Sequence, residues 1–233
     1  MVNLSPQDWQ IIALSLRIAF TAILFALPLA FIVAWVLARF NFPGKSFVQA
    51  LVTMPLVLPP VVTGYLLLIL FGSKGALGAP LQEWLGVSFS FRWTGAALAA
   101  GTMAFPLLVR PIRLSIENLD RGLEEAARTL GASWLMSFCT VTLPALLPGI
   151  IAGAVLGFAK ALGEFGATIT FVSNIPGQTQ TLSLAIYSLL QSPSGDSAAV
   201  KLILVSAVLS IVAVILSEWL QRKLSGQTAA GEK

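Results

Sequence analysis

Long apolar runs, separated by short clusters of basic and turn-forming residues, set the rhythm of this chain. Five runs stand out, at about Ile11 to Ala38, Phe47 to Phe71, Thr94 to Leu108, Leu146 to Leu162 and Val200 to Leu220. A helix rises ~1.5 Å per residue, so runs of this kind suit the ~30 Å hydrocarbon layer of a bilayer. The pattern predicts an all-α integral membrane protein with about five transmembrane helices. It divides the chain into an outer N-terminus at 1–10, a membrane domain at 11–221 and a cytoplasmic tail at 222–233. The stretch Thr168 to Leu190 breaks the rhythm. TITFV and LSLAIYSLL are each too short to cross as helices, and the SNIPGQTQT between them is polar. We read it as an outer loop whose short apolar segment is either re-entrant or part of the loop.

Composition agrees, with 57% of the 233 residues hydrophobic and only 10% charged, against roughly a quarter charged in soluble domains. The first run is not preceded by the basic start of a secretory signal and no small-residue cleavage site follows it, so it reads as a retained span. The net charge of +4 comes without the large polar face that a nucleic-acid surface needs. Its placement carries topology instead. Arg39, Lys45, Arg110, Arg113, Arg121, Arg128, Arg222, Lys223 and Lys233 flank one set of run ends. Lys74 and Arg92 flank the other, with Arg17, Lys160 and Lys201 near that boundary. Basic loops stay in the cytoplasm, which puts the N-terminus outside and the C-terminus inside. Trp9, Trp93 and Trp219 fall near run ends, where indole rings favour the interface.

Two runs carry interruptions. MPLVLPPVVTGY in the second holds Pro55, Pro59, Pro60 and Gly64, and proline deprives a helix of a donor and crowds the turn before it. Inside lipid such a break occurs where protein or water covers the freed backbone. It is therefore either a packing kink or a bend that lines a pathway. In the fourth run Gly149, Gly153, Gly157 and Ala161 make a stripe of small residues on one face. The stripe admits close approach of another helix, from this chain or from a second copy. Lys160 and Glu164 sit four apart near the outer end of that run. They are either a self-satisfied ion pair or part of an outer gate. Thr168 begins the short segments beyond them. In the loop from Ser173 to Thr181, Ser173, Asn174 and Gln178 offer neutral donors, suited either to solvent or to contact with a docked partner.

Between the third and fourth runs, on the basic side, lies IENLDRGLEEAARTLGASWLMSFCTVTLP. Leu119, Leu123, Ala127 and Leu130 recur at helical spacing. Glu117 with Arg121, Arg121 with Glu125 and Glu124 with Arg128 are opposite charges at i,i+4. Gly131 stands where a left-handed cap would end the helix, and Ser133 where the next would begin. Taken alone, these features predict an amphipathic surface helix.

The spacing adds more. Glu125, Ala126 and Ala127, then Gly131, then Val141, Thr142, Leu143 and Pro144 resemble the EAA loop of ABC importer permeases, with valine standing where the family has isoleucine. The resemblance implies a type I importer permease fold in which the segment at about 117–144 holds a coupling helix that docks in a groove of an ATPase subunit. RFNFPGKS, MPLVLPPVVTGYLLL and ALGEFGATITFVSNIPGQTQT are similar to molybdate permeases. Sulfate permeases share the GEFGA core and diverge after it. The resemblance implies two ATPase copies, a periplasmic oxyanion-binding protein, a second copy of the chain as homodimer partner, and residence in a bacterial inner membrane. Molybdate is the implied cargo, with sulfate or tungstate as alternatives. Pro59, Pro60, Lys160, Glu164, Thr168, Ser173 and Asn174 are the candidate pathway or gate residues.

Other chemistries fit poorly. Gly44-Lys45-Ser46 looks like the end of a phosphate-binding loop, but the upstream glycine position is Arg39 and a membrane run precedes it. Nucleotide binding by this chain is not expected. There is no histidine, Cys139 is the one cysteine, and Asp8, Asp120 and Asp196 lie outside the runs, so no metal site, cofactor or intramembrane enzyme is expected. An ion-driven secondary transporter would show paired repeats, and none is evident.

Overall fold

The computed structural model describes residues 4–193 and 195–230, with side chains as far as Trp219 apart from position 217. The side chains of Arg222, Lys223 and Lys233, counted above, lie outside the described residues. Among the described residues every regular element is helical: α1 (Pro6–Arg39), α2 (Lys45–Val57), α3 (Pro60–Phe71), α4 (Gly78–Leu85), α5 (Trp93–Glu117), α6 (Arg121–Thr129), α7 (Trp134–Ser137), one π-helical turn (Phe138–Thr142), α8 (Leu143–Leu162), α9 (Gly166–Val172), α10 (Leu182–Leu190) and α11 (Asp196–Ala230). Four helical segments among the described residues are long and apolar enough to cross a membrane. The pair α2 and α3, bent by 116° at its break, makes up to a fifth.

Small residues build the core. Ala19, Ala22, Ala30 and Ala34 of α1 pack with Ala96, Ala99, Ala100 and Ala104 of α5, all buried. The glycine stripe of α8 faces the same helices. A Cβ on Gly149 would strike Ser115, one on Gly153 would fall 3.0 Å from the Leu108 carbonyl oxygen, and one on Gly157 would crowd Leu108 and Ile23. The stripe therefore packs inside this chain, which answers the question its pattern left open.

Three expectations change. The third span runs on to Glu117 instead of stopping near Leu108, because Pro106, Pro111, Arg110 and Arg113 are all accommodated within one helix. The stretch from Thr168 to Leu190 is not merely a loop. It contains α9 and α10, and Thr168, Phe171, Val172, Thr181, Leu182 and Leu184 are buried. Tertiary contact rather than length makes these short helices stable: Ser15 on α1 accepts the Leu182 N–H at 2.8 Å, and α9 packs along α3. Finally, the charged pairs expected on α6 do not form among the described residues. Glu117 pairs with Arg113 at 2.7 Å and Glu124 with Arg39 at 2.6 Å.

Candidate functional site

The candidate residues fall into two places. Glu125, Ala126, Ala127 and Gly131 lie on α6 and its cap, with Leu143 and Pro144 opening α8 at the same end of the bundle. Pro59, Pro60, Lys160, Glu164 and Thr168 gather where two helical spans break, and Ser173 and Asn174 lie beyond the far end of α9.

Helix α6 has nine residues and none of them is buried. A helix this short is marginal by itself, so its ends matter. Asp120 is the N-cap, its side chain accepting the Gly122 N–H at 2.8 Å. At the other end Gly131 has φ +91, a conformation that penalises a side chain. The Gly131 N–H donates to the Arg128 carbonyl at 2.9 Å and the Ala132 N–H to the Ala127 carbonyl at 3.0 Å. This is the paired bond pattern of a Schellman cap. Ser133 then caps α7 by accepting the Met136 N–H at 3.3 Å.

One side chain ties this helix to the membrane bundle. Glu124 Oε1 accepts from Arg39 Nη2 at 2.6 Å and from Thr142 Oγ1 at 2.8 Å, so it joins α6, the end of α1 and the π-turn. Arg39 also lies over the Trp35 ring, 5.0 Å from its centroid. Phe138 stacks on Trp134 and meets Trp35 edge-on, at 5.8 and 5.7 Å between ring centroids. The π-turn has a local cause. Leu143 N–H reaches back to the Phe138 carbonyl, and Pro144 next to it has no N–H to resume the regular ladder. Glu124 and Arg39 were missed as a pair from the sequence because the nearer cation on the helix, Arg128, satisfied the spacing rule.

While Glu124 is held and Ala127 is half-buried, the other residues of α6 face outward. Glu125, Ala126 and Gly131 are exposed, and so are Leu123, Trp134, Leu135 and Met136, with Leu130 89% exposed. Leu123 and Leu130 at the α6 segment and Trp134, Leu135 and Met136 on α7 thus leave an uncovered apolar patch, the kind of surface that interaction sites use.

The second place lies within the membrane spans. Leu58 and Pro59 each precede a proline and are extended, at ψ 144 and 133, which stops α2 and restarts the chain as α3. Gly163 to Phe165 interrupt the other span between α8 and α9. The two breaks meet. A Cβ on Gly166 would fall 2.8 Å from the Pro60 Cβ, and one on Gly64 would fall 2.5 Å from the Ala167 carbonyl oxygen. Glu164 is 2% exposed, accepts the Ala167 N–H at 3.0 Å and pairs with Lys160 at 2.7 Å. It thereby satisfies the start of α9 and carries the expected ion pair. Thr168 is buried on α9.

Ser173 ends α9 at φ 63. Thr179 holds the loop beyond it by donating to the Ser173 carbonyl and accepting the Ile175 N–H, both at 2.9 Å. Asn174 Nδ2 donates to Ser188 Oγ. Beside this loop an open cleft is lined by Gln7, Gln10, Arg17, Gly177 and Gln180, and Arg17 lies 3.8 Å over the Trp93 ring. No group of histidine, cysteine or carboxylate side chains that could hold a metal occurs among the described residues.

Comparison with known proteins places this geometry in context. The family described as binding-protein-dependent transport system inner membrane component matches residues 8–226. The molybdenum transport system permease protein ModB of Escherichia coli (strain K12) is 52% identical, over 94% of this chain and 96% of that protein. The ModB protein of Haemophilus influenzae is 54% identical over the same shares. The sulfate transport system permease protein CysT of Escherichia coli (strain K12) is 38% identical over 80% of this chain and 67% of its own length. Among solved structures, a bacterial ABC transporter involved in alginate import superposes with a TM-score of 0.71 at 21% identity, over 94% of this chain and 80% of that one. An amino acid ABC transporter superposes with a TM-score of 0.63 at 19% identity, over 94% of both. These last two establish the fold.

Proposed function

Since the chain belongs to the family of binding-protein-dependent transport system inner membrane components, we propose that it is the permease subunit of an ATP-driven importer carrying molybdate. The observation that carries this reading is α6, a doubly capped helix with no buried residue, pinned on one side by Glu124 and uncovered on the other. The identity over almost the full chain to molybdenum permeases supports the cargo.

Two ATPase subunits would receive the exposed residues of α6 and α7, with Glu125 as a charged anchor and Ala126 and Ala127 allowing close approach. ATP binding and hydrolysis belong to those subunits, and this chain makes no covalent change to its cargo. A periplasmic oxyanion-binding protein would deliver the anion to the end of the bundle remote from α6. Gln178 there is exposed and offers a neutral donor that would hold a dianion weakly, with Asn174 beside it bonded to Ser188. A second copy of the chain would complete the pathway about a two-fold axis. The basic residues at the α6 end would keep that end in the cytoplasm, with the N-terminus periplasmic.

Movement of α6 passes through Glu124 to α1 and the π-turn, and through α8 to the two breaks. Alternating access follows if the broken spans open on one side when the coupling helices approach each other. Leu143 and Pro144 fix where α8 begins, and Pro59 and Pro60 fix where α3 begins.

The test is uptake of labelled molybdate by proteoliposomes holding the permease, its ATPase and its binding protein. Accumulation that needs ATP and stops with vanadate supports the reading. Accumulation driven by an ion gradient alone overturns it. Preferential uptake of sulfate or tungstate would keep the importer and reassign the cargo, which the sulfate permease relatives make the foremost competing reading.

A further inference from the structure

An ammonium group inside an apolar span is costly unless it has a partner and a wet or protein-covered face. Lys160 lies in α8 among Gly157, Phe158 and Leu156, and its side chain is 30% exposed. Its carboxylate partner is not its equal. Glu164 is 2% exposed and keeps a second donor, the Ala167 N–H at 3.0 Å, on the first turn of α9. Glu164 therefore remains satisfied in part when the lysine leaves. Lys160 stands on a flexible four-carbon stem, has three N–H donors, and bonds to Glu164 through one of them.

Its position is as informative as its bonding. Glu164 is fixed to α9, and α9 starts against Pro60, where a Cβ on Gly166 would fall 2.8 Å from the proline ring and 3.5 Å from the Val61 nitrogen. The lysine thus sits at the level where both spans are interrupted. Interrupted helices inside a membrane occur where a cavity or protein covers the backbone.

Resting on the importer reading above, we propose that Lys160 is a transient contact for the oxyanion in the membrane pathway, and that Glu164 sets how long it holds. The ammonium swings from Glu164 to a passing tetrahedral dianion. Glu164 stays on the Ala167 N–H and repels the same dianion. A lysine without that carboxylate would form a tighter, slower site. A pathway without the lysine would offer the dianion no cation at this level. The arrangement gives attraction without trapping, which transit requires.

The experiment uses the complete complex of permease, ATPase and binding protein in proteoliposomes, with labelled molybdate as probe. Four variants are compared: Lys160→Arg, Lys160→Gln, Glu164→Gln, and Lys160→Gln with Glu164→Gln. The double variant leaves no buried charge unpaired, so it isolates transport from folding. It should co-purify with the ATPase and import about tenfold more slowly, the loss expected for one charge-assisted contact. Lys160→Arg should import within a few-fold of the unaltered complex. Glu164→Gln should lower KM and kcat together, the signature of an anion held too long.

Import by the double variant at the unaltered rate would reduce the pair to a structural element and overturn the proposal. So would failure of both the double variant and Lys160→Arg to assemble. Failure of the unaltered complex to import any oxyanion would instead refute the importer reading itself, so the two failures are distinguishable.

Discussion

Glu124 on α6 and Arg39 at the end of α1 meet at 2.6 Å although 85 positions separate them in the chain. The same carboxylate oxygen takes the Thr142 hydroxyl at 2.8 Å. Its neighbour Glu125 is exposed. Two adjacent acidic residues thus differ: Glu124 faces inward and holds the helix to the bundle, and Glu125 faces outward, where the proposed ATPase would dock.

The first prediction separates them. Glu124→Ala should weaken the seating of α6 by about 1–3 kcal/mol, because Arg39 and Thr142 lose a charged acceptor in a partly buried place. Uptake should fall sharply while the ATPase still binds in part. Glu125→Ala should leave the loop intact and act mainly on ATPase co-purification, with a milder loss of uptake. Exchanging the charges, Glu124→Arg with Arg39→Glu, should restore part of the uptake lost in Glu124→Ala. Equal behaviour of Glu124→Ala and Glu125→Ala in both assays would show that the inward contact carries no force.

A second prediction concerns the meeting of the two broken spans. A Cβ on Gly64 would fall 2.5 Å from the Ala167 backbone oxygen and 2.9 Å from the Thr170 Cβ. Backbone cannot move aside cheaply, so Gly64→Ala should cost about 1–3 kcal/mol through overpacking. The purified permease should aggregate at a lower temperature in detergent, and import should decline. Gly86→Ala serves as the control for stability. Nothing lies within 4 Å of its Cβ position, and its strain comes only from φ +65. A larger loss of stability in Gly86→Ala than in Gly64→Ala would refute the close approach of α3 and α9.

The loop after α9 gives a third. Thr179 is fully buried and makes two hydrogen bonds that close the loop, whereas Gln178 is exposed. Gln178→Ala combined with Asn174→Ala should reduce uptake while the complex still assembles. Thr179→Val should disturb the loop itself and lower stability. Unchanged import by a well-expressed Asn174→Ala, Gln178→Ala variant would remove the loop from the mechanism.

The fourth prediction tests orientation. A reporter fused at Gly226 should behave as cytoplasmic and one at Lys74 as periplasmic, following the placement of arginine and lysine along the chain. Inverted activity at both sites would reverse the topology.

Much of the loop at 117–144 could be read from its residues because the signals are local. Gly131 and Ser133 were expected as caps, and each caps the helix it adjoins. The break at Pro59 and Pro60 is local too, since each proline dictates the conformation of the residue before it. What could not be read was set by distant contacts. Arg39 displaced Arg128 as the partner of Glu124. The helices α9 and α10 are too short to announce themselves, and contacts with α3 and with Ser15 bury them. The arginines at 110 and 113 looked like the end of a span, but α5 carries them within its own length.

The most direct test of coupling through α6 is Gly131→Asp. The residue has φ +91, so a side chain strains the cap by about 1 kcal/mol or more, and the added negative charge lies at a helix C-terminus, where the dipole opposes it. Two quantities are measured on the same membranes: the ATPase that co-purifies with the permease, and ATP-dependent accumulation of labelled molybdate. If α6 couples transport to ATP, the variant permease reaches the membrane, retains little ATPase and accumulates no molybdate. Normal ATPase retention with normal ATP-dependent uptake would contradict it, and α6 would then be a surface helix with no part in coupling.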